Sequence, residues 1–595
     1  LRKKLERQIR FRNEFRFDIT QICFSRRLSY LSITEDMAPT ETGADRKQLT
    51  LCRSVRPYSW NDEIKRPRRF GFRPIFDQKS ISYRIEANPG SMQVQTAYGN
   101  CSICFDGPET IRLRGNGITM RFFTKMGKCE GAVDRLDGTY QVNYFMAGEY
   151  LFKPIRGKIS FEAEWLWDRE SSSDVVIDLE PDESGEFEVA LHYAEYGAEA
   201  YEEYRPFEEC AMESMEDFNK WYDMYPPVPG RYENLKKLSI YAIWVCYIDA
   251  KGMLTEPAIL FSKPNASAVF SWHQAYFAMS INDPDVSAQL LMDLFAYQDE
   301  YGELCDLCDD TFYNVMATKP PFHGYALLHM INHMDITAKH AEKMYDGLAN
   351  LFKWWTVTRD TDGDGIPQYN HGCESGVDAS DLFAKGVPVE TPDIISYCTL
   401  LAEGLSKLAA LMGRTDEAAA WQAKSDRLLE VLLSDFWDGR KFISRLSTTK
   451  EIIESTELEI YMPLMLGDRL PKDIVKRMVK DLTDPELYYT PVGFRSNVKR
   501  YKDGQAMPGY IGGFAQVKLL PGLYMAGEKE LARELLTGYA NKSAERLPGF
   551  GVLEFTPPGA PGGGGFFQTP GGALNALAAA MFLIAINFLE EISTD

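Results

Sequence analysis

Residues 358–412 read TRDTDGDGIPQYNHGCESGVDASDLFAKGVPVETPDIISYCTLLAEGLSKLAALM and set a tight acidic turn, a polar loop rich in carboxylates and a capped helix in one continuous run. Thr391 stands where an N-cap belongs, Pro392 takes the first helical position, where a missing N–H costs nothing, and Gly413 lies just past the end. A helix preceded by so long a polar loop is how a helical barrel presents side chains at its mouth. The elements around it are therefore expected to form such a barrel.

Outward from this segment, a 3.6-residue period with Asp, Thr or Ser before many helices and Gly after them predicts helices over 231–249, 272–281, 284–300, 323–333, 338–357, 391–412, 415–436, 454–466, 472–482, 510–526, 528–546 and 572–592. Twelve helices separated by long loops fit antiparallel pairs arranged as an (α/α)6 toroid better than a compact bundle, which needs only short connections. No exact repeat is visible, so the pairing rests on helix number and loop length. The apolar run 573–589 is interrupted by Asn575 and Asn587, falls short of a membrane span and is expected to be a buried closing helix.

Toward the amino terminus the period changes to two. Between Ser80 and Tyr196, segments such as KISFEAEWLW and EFEVALHYAEY alternate, with Lys158, Ser160, Glu162 and Glu164 against Ile159, Phe161, Ala163 and Trp165, the mark of half-buried strands. The fold class expected is thus an antiparallel β-sandwich at 70–205, a linker at 206–230 holding the Pro-rich YDMYPPVPG, and an (α/α)6 domain at 231–595. Residues 1–69 are expected to be a poorly ordered extension. The chain opens on Leu1 and its first methionine is Met37, so residues 1–36 are expected to lie outside the native reading frame and to carry no fold. Their basic run lacks the apolar core of a secretory signal.

Composition bounds the function. A net charge of −21 repels a phosphate backbone and sets nucleic acid aside. Eleven cysteines cannot all pair, which favours reduced thiols and a cytoplasmic location. The CxxC pairs Cys101/Cys104 and Cys305/Cys308 are too far apart in sequence to be expected to share a zinc ion. The 75 aromatic residues (31 Tyr, 34 Phe and 10 Trp) offer faces for stacking a sugar, though most belong to cores.

Asp360, Asp362, Asp364 and Gly365 match the first half of a calcium loop, but its twelfth position is His371, not a bidentate Glu. A turn in which Asp side chains accept backbone N–H groups accounts for the same residues. No cofactor is expected to be required, with calcium the one metal this loop would suit. Glu374, Asp378, Asp381, Glu390 and Asp393 follow closely. Such density is tolerated in solvent, whereas in a pocket it raises a carboxyl pKa and makes a proton donor. Gln368, Asn370 and His371 are suited to hydroxyl recognition, and Glu374 either to that role or to capping the loop. Glu390 and Asp393 are expected to fix the loop to the following helix, Asp393 in its first turn.

The order of QYNHGCESGVDAS, PVETPDIISY and LEFTPPG, followed by a Gly-rich loop and a last apolar helix, resembles six-hairpin glycosidases related to glycoside hydrolase family 63, including mannosylglycerate and glucosylglycerate hydrolases and trehalase-like enzymes. The resemblance covers most of residues 231–592, and many relatives also carry a β-sandwich in front. It implies an inverting O-glycosyl hydrolase acting on an α-glucosidic or α-mannosidic bond of a small carbohydrate, with Asp378 of the ESGxD loop as general acid and Glu554 as general base. Inversion needs the two carboxyl groups roughly 6.5 to 9.5 Å apart so that water fits between.

Three segments depart from the family. Trp272 is followed by His273 where relatives show Asp; Trp272 can still stack on a sugar, while His273 would alter the hydroxyls gripped and bring pH sensitivity. QAMPGYIGG replaces a Trp-Arg-Gly-Pro segment, leaving Tyr510 as the aromatic and Arg495 as the nearest Arg. GGGGFFQTPGG places Phe566 and Phe567 where relatives carry Phe-Ser-Trp. A carbohydrate epimerase on the same toroid, or a sugar-binding protein without catalysis, are the alternatives. The first would show two histidines facing each other across the pocket.

Overall fold

The computed structural model describes residues 15–38, 46–54, 68–145, 147–264, 267–377, 380–498, 510–545, 551–553 and 574–594. Two antiparallel sheets form the amino-terminal half. One runs, in spatial order, Leu31–Ala38, Arg46–Arg53, Arg68–Phe76, Thr119–Thr124, Val175–Glu180 and Lys158–Glu162, with Lys79–Ser80 on the end of Arg68–Phe76. The other runs Gly131–Asp134, Tyr140–Tyr144, Gly148–Arg156, Glu186–Ala194, Thr110–Asn116, Asn100–Phe105, Met92–Gln95 and Arg84–Ala87. Their inner faces share one core, in which Phe70 of the first sheet meets Phe152 of the second edge to face at 5.6 Å. The alternation read at 158–164 is realised through Glu162; beyond it the strand ends and Trp165 points into solvent.

Two sequence expectations fail here. Residues 15–38 and 46–54 are not a foldless extension: Leu31–Ala38 pairs with Arg46–Arg53 from Leu31↔Arg53 to Ala38↔Arg46, and Ile19, Ile22, Phe24, Leu31 and Ile33 are buried. Apolar side chains every second residue drive this, with Leu49 and Leu51 turned inward, in a segment whose polar composition conceals the pattern. Nor is 206–230 only a linker. Phe207–Tyr222, helix α1, buries Phe207, Cys210, Ser214, Phe218, Trp221 and Tyr222 at three- and four-residue spacing against strand Asn100–Phe105 and the next helix.

That next helix is α2, Glu233–Cys246. There follow α3 (Ser271–Ser280), α4 (Pro284–Leu291), α5 (His323–His333), α6 (Ala338–Lys353), α7 (Pro392–Leu411), α8 (Thr415–Asp435), α9 (Lys472–Leu482), α10 (Gly513–Met525), α11 (Lys529–Ala544) and α12 (Ala576–Thr594). Helix α4 is shorter than expected because Leu294 turns left-handed at φ 72°. The helix expected over 454–466 is instead a run of 3₁₀ turns, Leu458–Arg469, in which Pro463 lacks an N–H and Gly467 breaks the helix.

Packing orders these elements. Helix α3 lies against α5, α5 against α7, α7 against Leu458–Arg469, that segment against α10, α10 against α12, and α12 returns to α3. Neighbours advance together: Gly324 meets Leu401 and Leu327 meets Gly404, while Leu464 meets Gly522 and Gly467 meets Met525, so these neighbours run the same way. The α5–α7 approach needs glycine, since a Cβ on Gly324 would sit 2.4 Å from the Leu401 Cα. By length and composition Pro392–Leu411 and Ala576–Ser593 could each cross a bilayer, yet 72% of each is buried inside the fold, which makes them core helices.

Arg53 ties the two halves. Its buried guanidinium donates to Tyr193 Oη at 2.8 Å and, across the boundary, to the Asp310 carboxylate. Asp310 lies two residues beyond Leu307–Cys308, the strand that pairs with Val269–Phe270 immediately before α3. The sandwich thereby buttresses the approach to Trp272.

Candidate active site

The segment between α6 and α7 is anchored from both ends. Asp360 Oδ1 accepts from the Gly363 and Asp364 N–H groups at 2.9 and 3.1 Å and its Oδ2 from Gly365 N–H at 2.9 Å, the turn geometry that Asp supplies. Carboxylate oxygens of Asp360, Asp362 and Asp364 lie within 4.8 Å of one another. Lys450, from beyond α8, places its ammonium 2.7 Å from Asp362, 2.6 Å from Asp364 and 2.5 Å from buried Glu390. A side-chain cation thus meets the charge that the calcium reading assigned to a metal ion. Arg445 Nε donates to the other oxygen of Glu390 at 2.6 Å, so Glu390 fixes the loop as its position suggested.

Next, Gln368–Tyr369 pairs with Val389–Glu390. Gln368 is buried and its amide donates to Thr361 Oγ1 and Asn370 Oδ1, both at 2.7 Å. Its donors are engaged, which leaves the amide N–H groups of Asn370 as the more open hydroxyl partners. Glu374 is 1% exposed. Its Oε1 accepts from Arg359 Nη2 at 2.7 Å and its Oε2 from the backbone N–H groups of Asn370 and His371 at 2.7 and 3.1 Å. Both oxygens hold the loop, the capping role of the two considered. His371 Nδ1 accepts from Cys373 N–H at 3.1 Å, so the neutral ring carries its proton on Nε2, a donor on an exposed side chain.

Gly376 follows at φ 78°, the left-handed conformation that glycine tolerates. A Cβ there would lie 2.8 Å from Trp272 Cη2, so the first residues of α3 lie directly against the ESGVD loop. Lys319 joins the same corner by donating to Cys373 O at 2.8 Å. His273 is packed among Phe261, Phe270 and Trp272. Burial, reinforced by the Lys319 charge, pushes its imidazole down to about 3. It is uncharged across the neutral range and does not supply the pH sensitivity expected of it.

Asp378 lies outside the described residues, as do Glu554, Phe566 and Phe567. The chain on either side of them is informative. Asp381, three residues after Asp378, accepts from Ser455 Oγ at 2.5 Å and Thr456 Oγ1 at 2.9 Å, while its own N–H donates to Glu457 Oε1 at 3.3 Å. Leu553, just before Glu554, pairs with Tyr510 in a two-stranded ladder that leads into α10. The flanks of both carboxylates, together with Trp272, therefore lie at the amino-terminal ends of α3, α7 and α10. The side chain of Tyr510 is not described. Arg495 donates to the carbonyls of Pro485 and Leu487 at 2.9 and 3.2 Å, contacts within its own loop.

Beneath this end sits a charge cluster that sequence reasoning missed. Lys518 of α10 is 1% exposed and donates to Tyr397 Oη at 2.6 Å, above the ring of Phe322. Burial pushes its amine down to about 7, with Asp393 and Glu459 opposing. Burial likewise raises Asp393, which accepts from Tyr369 Oη at 2.8 Å and from Thr391, and raises Glu459 well above the carboxylate range. The only signal in the sequence was a Lys on an otherwise apolar helix. Of the described histidines, His329 and His333 stack at 4.2 Å, one turn apart near the far end of α5, not facing each other across a pocket as the epimerase reading requires.

Residues 263–551 match the model of the mannosylglycerate hydrolase MGH1-like glycoside hydrolase domain, a span that includes Asp378 and ends three residues before Glu554. A bacterial glucoamylase complexed with acarbose is similar over 96% of this chain and 94% of its own, at 11% identity and a TM-score of 0.58. The GH92 family glycosyl hydrolase CcMan5 is similar over 96% and 85%, at 10% identity and a TM-score of 0.53. The GH63 mannosylglycerate hydrolase of Thermus thermophilus, in complex with glucose, matches 59% of this chain and 99% of its own, at 16% identity and a TM-score of 0.48. The first two likenesses extend a shared fold across both halves of the chain. Residues 263–551 are an MGH1-like glycoside hydrolase domain, and the protein that carries it is an O-glycosyl hydrolase.

Proposed function

We propose that the protein is an inverting glycosidase that cleaves an α-glucosidic or α-mannosidic bond in a small carbohydrate, with Asp378 as general acid and Glu554 as general base. Its helices form an (α/α)6 toroid, with α3, α5, α7, Leu458–Arg469, α10 and α12 as the inner ring and α2, α4, α6, α8, α9 and α11 outside. The observation that carries this reading is the anchoring of the ESGVD loop inside the family-matched span: Arg359 and Glu374 hold one side, Asp381 with Ser455 and Thr456 the other, and Trp272 lies against its glycine. A loop fixed on both sides can present an acid reproducibly, which is what protonation of a glycosidic oxygen requires.

In this mechanism the carboxylic acid of Asp378 gives its proton to the glycosidic oxygen as the bond to C1 breaks. Glu554 takes a proton from water attacking the opposite face of the sugar, and the product has inverted configuration. Trp272 offers a stacking face, and Asn370 and His371 offer hydroxyl partners. No metal takes part in the step. The odd number of cysteines favours a reducing, cytoplasmic setting.

The test is hydrolysis of α-glucosides and α-mannosides, including disaccharides, glycerates and glycerols, by the parent protein, Asp378→Asn and Glu554→Gln, with the released anomer identified by NMR. Release of the inverted anomer by the parent, lost in both variants, is expected. A retained anomer, or turnover untouched by either substitution, would overturn the assignment.

A further inference from the structure

The mouth that holds the ESGVD loop is at the amino-terminal ends of the ring helices. A separate cavity of about 480 Å³ opens at their other ends. All six ring elements contribute to its wall, among their residues Met279, Leu328, Leu400, Met465, Val517 and Ile584. It therefore lies on the common axis of the six. The aromatic layer of Tyr276, Phe322 and Tyr325, with ring centroids 4.1 and 5.4 Å apart in successive pairs, and Lys518 beside it separate this cavity from the ESGVD end.

We propose that this axial cavity is a second binding site, for a small uncharged amphiphile with an apolar body and one hydrogen-bond donor. Its volume is in the range of ligand pockets, roughly 300–1,000 Å³. The wall is mainly apolar, although Tyr325, His329, Asn332, Glu590 and Glu591 also reach it, so an apolar body fits it better than a sugar, most of whose hydroxyls would lose hydration against apolar side chains. An anion finds no open cation: the Nε and Nη2 of Arg469 are spent on Glu403, both at 2.6 Å, and its Nη1 donates to Leu466 O at 3.0 Å. His333, also on the wall, has its Nε2 engaged 3.2 Å from Glu591. Asn587 also lines the cavity, and its Oδ1 is buried with no hydrogen-bond partner among the described residues. An unpaired buried acceptor in a mainly apolar cavity specifies the complement it lacks, a single N–H or O–H on an apolar molecule.

N-phenyl-1-naphthylamine has this chemistry, two aromatic units joined through one N–H, and its fluorescence rises in apolar surroundings. Titrated into the full chain, it is expected to give a saturable one-to-one rise. Leu328→Trp, which fills the cavity while leaving the ESGVD loop untouched, is expected to abolish it, with folding checked by circular dichroism. The N-methyl analogue, which lacks the donor, is expected to bind roughly three- to ten-fold more weakly, the size of one hydrogen bond. Asn587→Leu should erase that difference. Absence of a saturable rise, or a rise unchanged by Leu328→Trp, would overturn the proposal. If Leu328→Trp does not fold, the comparison of the two probes in the parent and in Asn587→Leu decides: equal affinities in the parent count against the site.

Discussion

Lys450 Nζ lies 2.6 Å from Asp364 Oδ2, within the acidic turn whose spacing suggested calcium. The same ammonium reaches Asp362 and Glu390, and together the three carboxylates raise its pKa to a level that keeps it charged at any physiological pH. Removing it in Lys450→Ala leaves three carboxylates close together with less compensation. The expected loss is about 1–2 kcal/mol, kept modest because Lys450 is partly exposed. Millimolar calcium should raise the melting temperature of Lys450→Ala and leave the parent unchanged. Equal stabilisation of both proteins would show that the metal binds alongside the lysine, contrary to this account.

Gly376 and Trp272 make a second testable pair. Alanine at 376 incurs the strain of a left-handed φ, about 1–3 kcal/mol, and its methyl collides with the indole. In Gly376→Ala/Trp272→Leu only the backbone strain remains. A double-mutant cycle by urea unfolding is expected to give a coupling of about 1 kcal/mol. A coupling near zero would mean that the indole does not press on the loop in solution.

How legible the molecule was in its sequence depended on how cleanly each periodicity stood out. Helices α5 and α7 were readable almost to the residue, because His323–His333 and Pro392–Leu411 are apolar runs with sharp boundaries at Pro320–Pro321 and at Thr391 and Gly413. Helix α1 was hidden by its charge, since Glu208, Glu209, Glu213 and Glu216 mask six buried positions and the prolines after it suggested a linker. At the site, carboxylate spacing and family resemblance singled out the ESGVD loop. Its anchors were not legible. Arg359 is 15 residues from Glu374, Asp381 is 74 from Ser455 and Lys450 is 86 from Asp364, and no local pattern signals partners that tertiary packing alone brings together.

Asp381 is expected to be a positioning residue for the acid three places before it. In Asp381→Asn the carboxamide cannot accept from Ser455 and Thr456 with both of its heads, and the loop loosens on that side. On the substrate identified by the anomer assay, kcat should fall by about 10- to 100-fold with KM little changed, the cost of a misplaced acid. The acidic pKa in the kcat–pH profile should shift as well. Ser455→Ala should reproduce part of the loss. A variant with lowered stability but an unchanged pH profile would confine Asp381 to holding the fold.

Buried histidines make the fold less stable as pH falls. His323 is 2% exposed, neither ring nitrogen has a hydrogen-bond partner among the described residues, and burial pushes its pKa from 6.5 down to about 4. In the unfolded chain it takes up a proton below about 6.5, whereas in the fold it stays neutral until about 4. Between those values the unfolded state binds more protons, so stability falls as pH falls, by up to about 1.4 kcal/mol for each unit. His273 and His329, both pushed down to about 3, act in the same direction. His333, raised by Glu591, opposes them: its contribution is full below its unfolded value and is lost as pH rises through its folded one. His323→Leu removes one of the three acid-labile terms. Its stability relative to the parent, from urea unfolding at pH 5, 6, 7 and 8, should be level above pH 7 and increase by about 1 kcal/mol from pH 6 to pH 5. Parallel curves across that range would mean that His323 is protonated in the native state, which its enclosure between Phe295 and the α5–α7 contact does not allow.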